Sequence, residues 1–303
     1  MIRSFDEVLK IAAERGPKTI AVACADDAEV LTAIETAREK GIAKAILVGD
    51  GEKIESICSV KGISLEDYEV IDIKDMAEAS LKAVELVSSG KADILMKGLV
   101  DTSILLKAVL DKEVGLRTGS VLSHVAVFDI KGYDRLFFIT DAAMGIAPDL
   151  EGKKKILQNA VKAAQALDIE VPKVAVVCAK EKVNPKMPCT LDAAELQKMN
   201  ESGEISGCIV GGPFALDNAV SKKAAEHKGV THPGAGEADI LLVPDIESGN
   251  ILYKALVFFA ETKNAGILVG TKAPVVLTSR ADSDETKLNS IAMGVLLAAK
   301  GNL

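Results

Sequence analysis

At 303 residues the chain is long enough for a sizeable core and for two domains, and its 49% apolar and 26% charged residues suit a soluble globular protein. A formal net charge of -8 argues against a nucleic-acid binder, which needs a basic surface, but leaves room for local positive pockets that hold small anions. The N-terminus MIRSFDEVLK has no continuous apolar stretch of the secretory kind, and the nearest approach to a membrane span, residues 251–260, is too short and contains Lys254.

Taken in chain order, apolar runs of strand length alternate with amphipathic stretches of helical spacing. Strands are expected at residues 19–25, 45–48, 69–73 and 92–97, then at 174–178, 208–210, 240–243, 267–269 and 275–278. Helices are expected between them, among them 28–40, 76–88, 153–167 and 251–263. Near-continuous apolar strands separated by helices mean a parallel sheet covered on both faces, hence an α/β protein. One place breaks the alternation. Residues 124–130 and 135–141 are two β-rich runs separated only by Lys131, Gly132, Tyr133 and Asp134, a spacing that fits a hairpin and not a βαβ crossover. This break predicts two α/β domains with a cleft between them: residues 1–131 with 267–303, and residues 132–266.

The five cysteines (Cys24, Cys58, Cys178, Cys189, Cys208) are scattered, odd in number and without a C-x-x-C pair, as expected of reduced thiols in the cytoplasm. The three histidines are far apart and show no metal-ligand spacing, so no metal is expected. Gly49-Asp50-Gly51 follows a strand but lacks the third glycine of a dinucleotide fingerprint, and neither a P-loop nor a G-x-S-x-G elbow occurs. What remains is a set of polar turns at the expected C-terminal ends of strands, where ligands of open α/β sheets gather. These are Lys97-Gly98, the stretch Arg117-Thr118-Gly119-Ser120, the segment 245–250 that opens the helix bearing Tyr253 and Lys254, and Ser279-Arg280 followed by Asp282, Asp284 and Glu285. Each has an ordinary reading as a turn or helix entry, with Asn250 as a cap in the third. His124, and still more His232, read first as core histidines. Together the turns bring hydroxyls, a lysine and an arginine to where one anion could sit, and arginine binds phosphate or carboxylate through two oxygens.

The segments VPDIESGNILYKAL (243–256) and GTKAPVVLTSRADSDETK (270–287) resemble the phosphate acetyl/butyryltransferase family. GGPFALDNAVS (211–221) and TDAAMGIAPDLEGK (140–153) look like two further blocks of it, in order and at compatible spacing. LMKGLVDT and GLRTGSVLSHVAVFD look like the butyryl-type branch more than the acetyl-type one. The resemblance implies a two-domain architecture of the isocitrate/isopropylmalate dehydrogenase type, with the active site in the interdomain cleft and a homo-oligomer. It implies reversible transfer of a butanoyl group from butanoyl-CoA to phosphate, both as substrates, with no tightly bound cofactor, no nucleic acid and no membrane. Arg280 would bind phosphate, Ser279 would donate to it or to the oxyanion, and Asp284, with Glu285 as its rival, would handle the thiol proton. The strict place of the acid in acetyl-type relatives is held here by Thr286. Thr118 and Ser120 would cradle phosphate from the other side of the cleft, Lys97 would be a second cation, and Asn250 and Tyr253 would bind substrate. Acetyl transfer is the nearest alternative; a metal- and NAD-dependent dehydrogenase of the same fold, or a non-catalytic binding protein, is more distant.

Overall fold

The computed structural model describes residues 2–279 and 282–301, so Arg280 lies outside the described residues. The first half of the chain runs α1 (Phe5–Arg15), β1 (Lys18–Ala23), α2 (Ala28–Glu39), β2 (Ala43–Gly49), α3 (Gly51–Lys61), β3 (Glu69–Asp72), α4 (Met76–Ser88), β4 (Ile94–Lys97), α5 (Thr102–Val109), β5 (Ser123–Ile130) and β6 (Leu136–Thr140). The second half runs α6 (Leu150–Ala166), β7 (Lys173–Val177), α7 (Pro188–Glu201), β8 (Ile209–Phe214), α8 (Leu216–Val220), α9 (Lys222–His227), β9 (Ile240–Leu242), α10 (Ile246–Phe259), β10 (Thr262–Val269), β11 (Val275–Val276) and α11 (Asp284–Lys300). Aspartates start many of these helices. Asp27, Asp50, Asp75, Asp149 and Asp245 each sit at an N-cap and accept a main-chain N–H from the first turn. Part of the negative charge is therefore spent on helix entries, where it also meets the positive end of the helix dipole.

The chain divides into two compact units. One comprises Phe5–Ser120 and the chain from Asn264 onward; the other comprises Val121–Lys263 with the first few residues. The sequence placed the crossings after residues 131 and 266. They fall at 120/121 and 263/264; the first keeps the hairpin whole, since β5 pairs antiparallel with β6 from Ala126 opposite Ile139 to Asp129 opposite Leu136.

In the first unit the strand order is β3-β2-β1-β4-β11-β10, with β3, β2, β1, β4 and β11 parallel and β10 antiparallel to β11. The crossovers from β1 to β2 and β3 run one way along the sheet and the crossover from β3 to β4 runs back. Right-handed connections thus put α2 and α3 on one face and α4 on the other. The long C-terminal helix α11 packs against α1 and α2, while α4 packs against α5. Helix α11 is buried without interruption from Thr286 to Leu297, which explains why its apolar and small residues wrap all round it.

In the second unit the order is β5-β6-β9-β7-β8, with β6, β9, β7 and β8 parallel. Ala126, Phe128, Phe137, Ile139, Ala175, Phe214 and Leu241 form its core on one face, with Leu252, Tyr253, Leu256 and Val257 of α10 packed over them. Helix α10 begins five residues earlier than the spacing predicted. Its cap is Asp245, which accepts the Ser248 N–H at 2.9 Å, and not Asn250; residues 262 and 263 already belong to β10.

At the start of β9, Glu237 lies against Lys173 (2.6 Å) and Lys222, and those hydrogen bonds lower its carboxyl from 4.5 to about 2. A depressed carboxyl contributes stability above its unfolded value and loses it as pH falls toward the folded one. Urea midpoints of Glu237→Gln should therefore lie below the parent's at pH 6 and converge with them as pH is lowered from about 4.5 toward 2.

Candidate active site

In a parallel sheet the backbone amides and helix N-termini point outward at the C-terminal strand ends, and both units assemble their polar groups there. In the first unit the ends of β1, β4 and β11 lie side by side. Gly98 follows β4 so closely on β1 that its N–H reaches the Ala23 carbonyl (2.8 Å) and Leu99 N–H the Cys24 carbonyl (2.7 Å). A Cβ at Gly98 would stand 2.1 Å from the Cys24 oxygen, so only glycine permits this approach. Lys97, last residue of β4, is 5% exposed and its Nζ donates to the Gly98 carbonyl at 3.3 Å. Register carries β11 past it: Val276 stands beside Met96, so Leu277 comes opposite Lys97 and Ser279 lies two residues further on. Lys97 and Ser279 thus lie at or beyond the C-terminal ends of two neighbouring parallel strands.

Ser279 is exposed and opens a turn closed by Asp282. The Ser279 N–H donates to the Asp282 carboxylate (2.6 Å) and the Asp282 N–H returns to the Ser279 carbonyl (3.2 Å). Ser283 caps α11 by accepting the Thr286 N–H at 3.2 Å. Asp284 and Glu285 are exposed in the first turn, whereas Thr286 is buried with its hydroxyl on the Asn264 side-chain oxygen at 3.1 Å. The thiol of Cys24, just after β1, is buried. Burial pushes its thiol up from 9.0 to about 11, and the sulfur donates to the Met76 carbonyl at 3.7 Å.

Thr118 and Ser120 lie elsewhere. The Thr118 hydroxyl donates to the Gly270 carbonyl (2.7 Å) and accepts the Ser120 N–H (3.2 Å), and Lys272 N–H donates to the Leu116 carbonyl (2.9 Å). This segment is stitched to the turn between β10 and β11, which is the opposite end of β11 from Ser279. Within its unit Thr118 therefore does not meet Lys97 or Ser279. Both Thr118 and Ser120 are exposed and lead into β5.

The second unit holds Asn250, Tyr253 and His124 as well as residues the sequence did not single out. After β6, Asp141 is 3% exposed and its carboxylate accepts the N–H groups of Ala143 (2.9 Å), Met144 (2.9 Å) and Gly145 (3.0 Å), folding the loop around itself. Asn250 Nδ2 donates to the Ala142 carbonyl at 3.3 Å. Gly249 lets α10 come this near, since a Cβ there would lie 2.8 Å from the Asp141 carbonyl oxygen. The Tyr253 ring meets His124 edge-on at 6.2 Å and Phe128 at 5.4 Å. His124 is buried, and its carbonyl accepts the Thr140 hydroxyl at 2.9 Å. Asn159, buried on α6, donates at 2.9 Å to both the Val121 carbonyl and the Ser123 hydroxyl. The hydroxyl of Ser248 donates to Asp245 and holds that carboxyl below its usual range, helped by Lys153. Lys153 is itself buried with Asp192 at 2.6 Å.

Asp141 and Lys153 lay within a stretch already conspicuous in the sequence, but nothing in the linear pattern separates an acid that folds a loop from one on a surface. Among the described residues no group of three or more His, Cys, Asp and Glu side chains could hold a metal ion. The clusters offer hydroxyls, main-chain amides and buried ammonium groups, a chemistry suited to anions. Gly98→Ala should cost about 1–3 kcal/mol through forced displacement of β4 from β1, seen as a fall of several degrees in thermal midpoint against the parent.

The family model described as "Phosphate acetyl/butaryl transferase" matches residues 4–81 and 74–295. The phosphate butyryltransferase of Clostridium beijerinckii is 56% identical over 300 residues, 99% of either chain. The crystal structure of a branched-chain phosphotransacylase from Enterococcus faecalis superposes with a TM-score of 0.82 at 36% identity, covering 93% of this chain and 99% of that one. A 4-hydroxythreonine-4-phosphate dehydrogenase from Klebsiella pneumoniae shares the fold alone, with a TM-score of 0.57 at 12% identity over 93% of this chain and 100% of that one.

Proposed function

The chain belongs to the phosphate acetyl/butaryl transferase family, and from that premise we propose that it transfers a butanoyl group reversibly between coenzyme A and inorganic phosphate. The observation that carries the choice of acyl group is the near-full-length likeness to a phosphate butyryltransferase, with 56% identity over 99% of both chains. An oxygen of phosphate attacks the thioester carbonyl carbon, a tetrahedral oxyanion forms, the C–S bond breaks, and the coenzyme A thiolate leaves and takes up a proton. Phosphate is already an anionic nucleophile, so the protein needs only to position it and to stabilise the oxyanion.

In this reading Arg280 grips the phosphate and Ser279 donates to it or to the oxyanion. Lys97 adds positive charge from the neighbouring strand end, which agrees with its place beside β11. Asp284, with Glu285 beside it, serves the thiol proton in the reverse direction. A free thiol with a pKa near ~8.5 needs only modest help, and both acids stand exposed at the head of α11. The inward-facing Thr286 cannot take that part. Asn250 and Tyr253 bind substrate, Asn250 beside the Ala142 carbonyl and Tyr253 beside His124. Thr118 and Ser120, tied to the Gly270 turn at the other end of β11, stand outside the set around Ser279. No covalent enzyme intermediate is required: Cys24, Cys178 and Cys208 are buried thiols whose pKa values burial raises.

The same reading assigns coenzyme A and phosphate as substrates and no tightly bound cofactor, an isocitrate dehydrogenase-type architecture, a cytoplasmic home and a homo-oligomer. The likeness to the 4-hydroxythreonine-4-phosphate dehydrogenase supports the architecture. Among the described residues no helix is long and apolar enough to cross a membrane. Ile251, Phe258 and Phe259 stand exposed along α10, the last at 92%, and favour a face covered by another subunit.

Thiol release from acetyl-, butanoyl- and hexanoyl-CoA, with and without phosphate, tests the function. Release should depend on phosphate and be fastest with butanoyl-CoA; fastest release with acetyl-CoA would keep the chemistry and move the acyl preference, and release indifferent to phosphate would overturn the reading. Arg280→Ala should keep the fold and lower kcat/KM by on the order of 10²–10³, with a raised KM for phosphate.

A further inference from the structure

Buried lysines in this chain are neutralised in different ways. Lys153, 6% exposed, has the Asp192 carboxylate at 2.6 Å. Lys287, in the first turns of α11, is 3% exposed and has no carboxylate within ion-pair reach among the described residues; its Nζ donates to the main-chain carbonyl of Asp282. A buried ammonium without an anion is costly, and one carbonyl dipole offsets only part of that cost. Its neighbours along the helix, Thr286, Leu288, Asn289, Ser290 and Ile291, are all buried as well.

The carbonyl that Lys287 holds belongs to the turn described above. Asp282 accepts the Ser279 N–H through its side chain and donates its own N–H back to Ser279, and the Lys287 ammonium donates to the carbonyl of the same residue. A carboxylate partner for Lys287 would cancel its charge; a carbonyl leaves the charge in place and fixes the turn. In the low dielectric of a buried site that field is little screened.

We propose that Lys287 is a positioning residue of the phosphate site: it fixes Asp282 beneath Ser279 and keeps a buried positive charge whose counter-ion is the phosphate group of the substrate. The inference rests on the reading that phosphate is a substrate. Its signature is a trade. The free protein carries the strain of an uncompensated charge, and bound phosphate relieves it. Removing the charge should leave the free protein at least as stable while weakening its hold on phosphate.

Two variants separate charge from hydrogen bond. Lys287→Met removes both at similar volume, and Lys287→Gln retains an amide donor for the Asp282 carbonyl. Thermal melts are recorded in phosphate-free buffer and across an inorganic phosphate titration, alongside kcat and KM for phosphate with butanoyl-CoA. Both variants should melt at or above the parent's temperature without phosphate. They should need on the order of tenfold more phosphate, or beyond, for the same upward shift, and raise KM for phosphate to match with a much smaller change in kcat. Lys287→Arg should recover part of the phosphate response. Parent-like phosphate titration and KM in Lys287→Gln would overturn the proposal, whether or not Lys287→Met folds, because the charge would then do nothing. A parent that responds to phosphate neither in melting nor in turnover would overturn the functional reading and this inference with it.

Discussion

In a parallel sheet with helices on both faces, a strand has no polar side to turn toward water. The strands here show the consequence: β4, β6 and β9 are buried at every position, and β1 at all but its first two. Polar side chains are displaced to the strand ends, where amides and helix N-termini are unsatisfied and where backbones can approach one another. Gly98 and Gly249 mark two places of close approach, one pressing β4 on β1, the other pressing α10 on the loop after β6. The chemistry proposed for the chain follows from this confinement, since the groups able to bind an anion have nowhere else to collect.

Charge at these ends is arranged by what each group lacks. Asp141 is buried yet satisfied by three main-chain amides, and Asp245 by the head of α10 and the Ser248 hydroxyl. These acids are structural; their lone pairs are occupied. Lys287, by contrast, keeps its charge against a single carbonyl. Burial raises the thiols of Cys24, Cys178 and Cys208, in keeping with a transfer in which phosphate itself is the nucleophile.

Much of the architecture was legible in the linear pattern. The alternation of apolar runs with helical spacing placed nearly every strand, helix α4 to the residue, and the hairpin that breaks the alternation. The start of α10 was not placed, because Asp245, Ser248 and Asn250 are all good cap residues and only the fold decides which of them meets the first free amides. The same ambiguity blurred the point where the chain changes unit: strand pairing, a long-range event, keeps β5 with β6.

For the site, residue types and their places on strand ends came from the sequence, together with the family likeness they add up to. Lys97 and Ser279 could be named as anion-binding groups because apolar strands must end in polar turns. Whether Thr118 joins them could not be read, since that depends on β10 running antiparallel to β11 and carrying the Gly270 turn to the far end of the strand. Nor could the separate fates of Asp141, Thr286 and Lys287 be told apart, each an ordinary polar residue in its local context. The sequence determines period, polarity and the chemistry on offer, because these are properties of neighbours along the chain. Burial and partner belong to residues brought together from distant segments, and only the tertiary structure decides which charge is neutralised, which hydroxyl is occupied and which ammonium is left to wait for an anion.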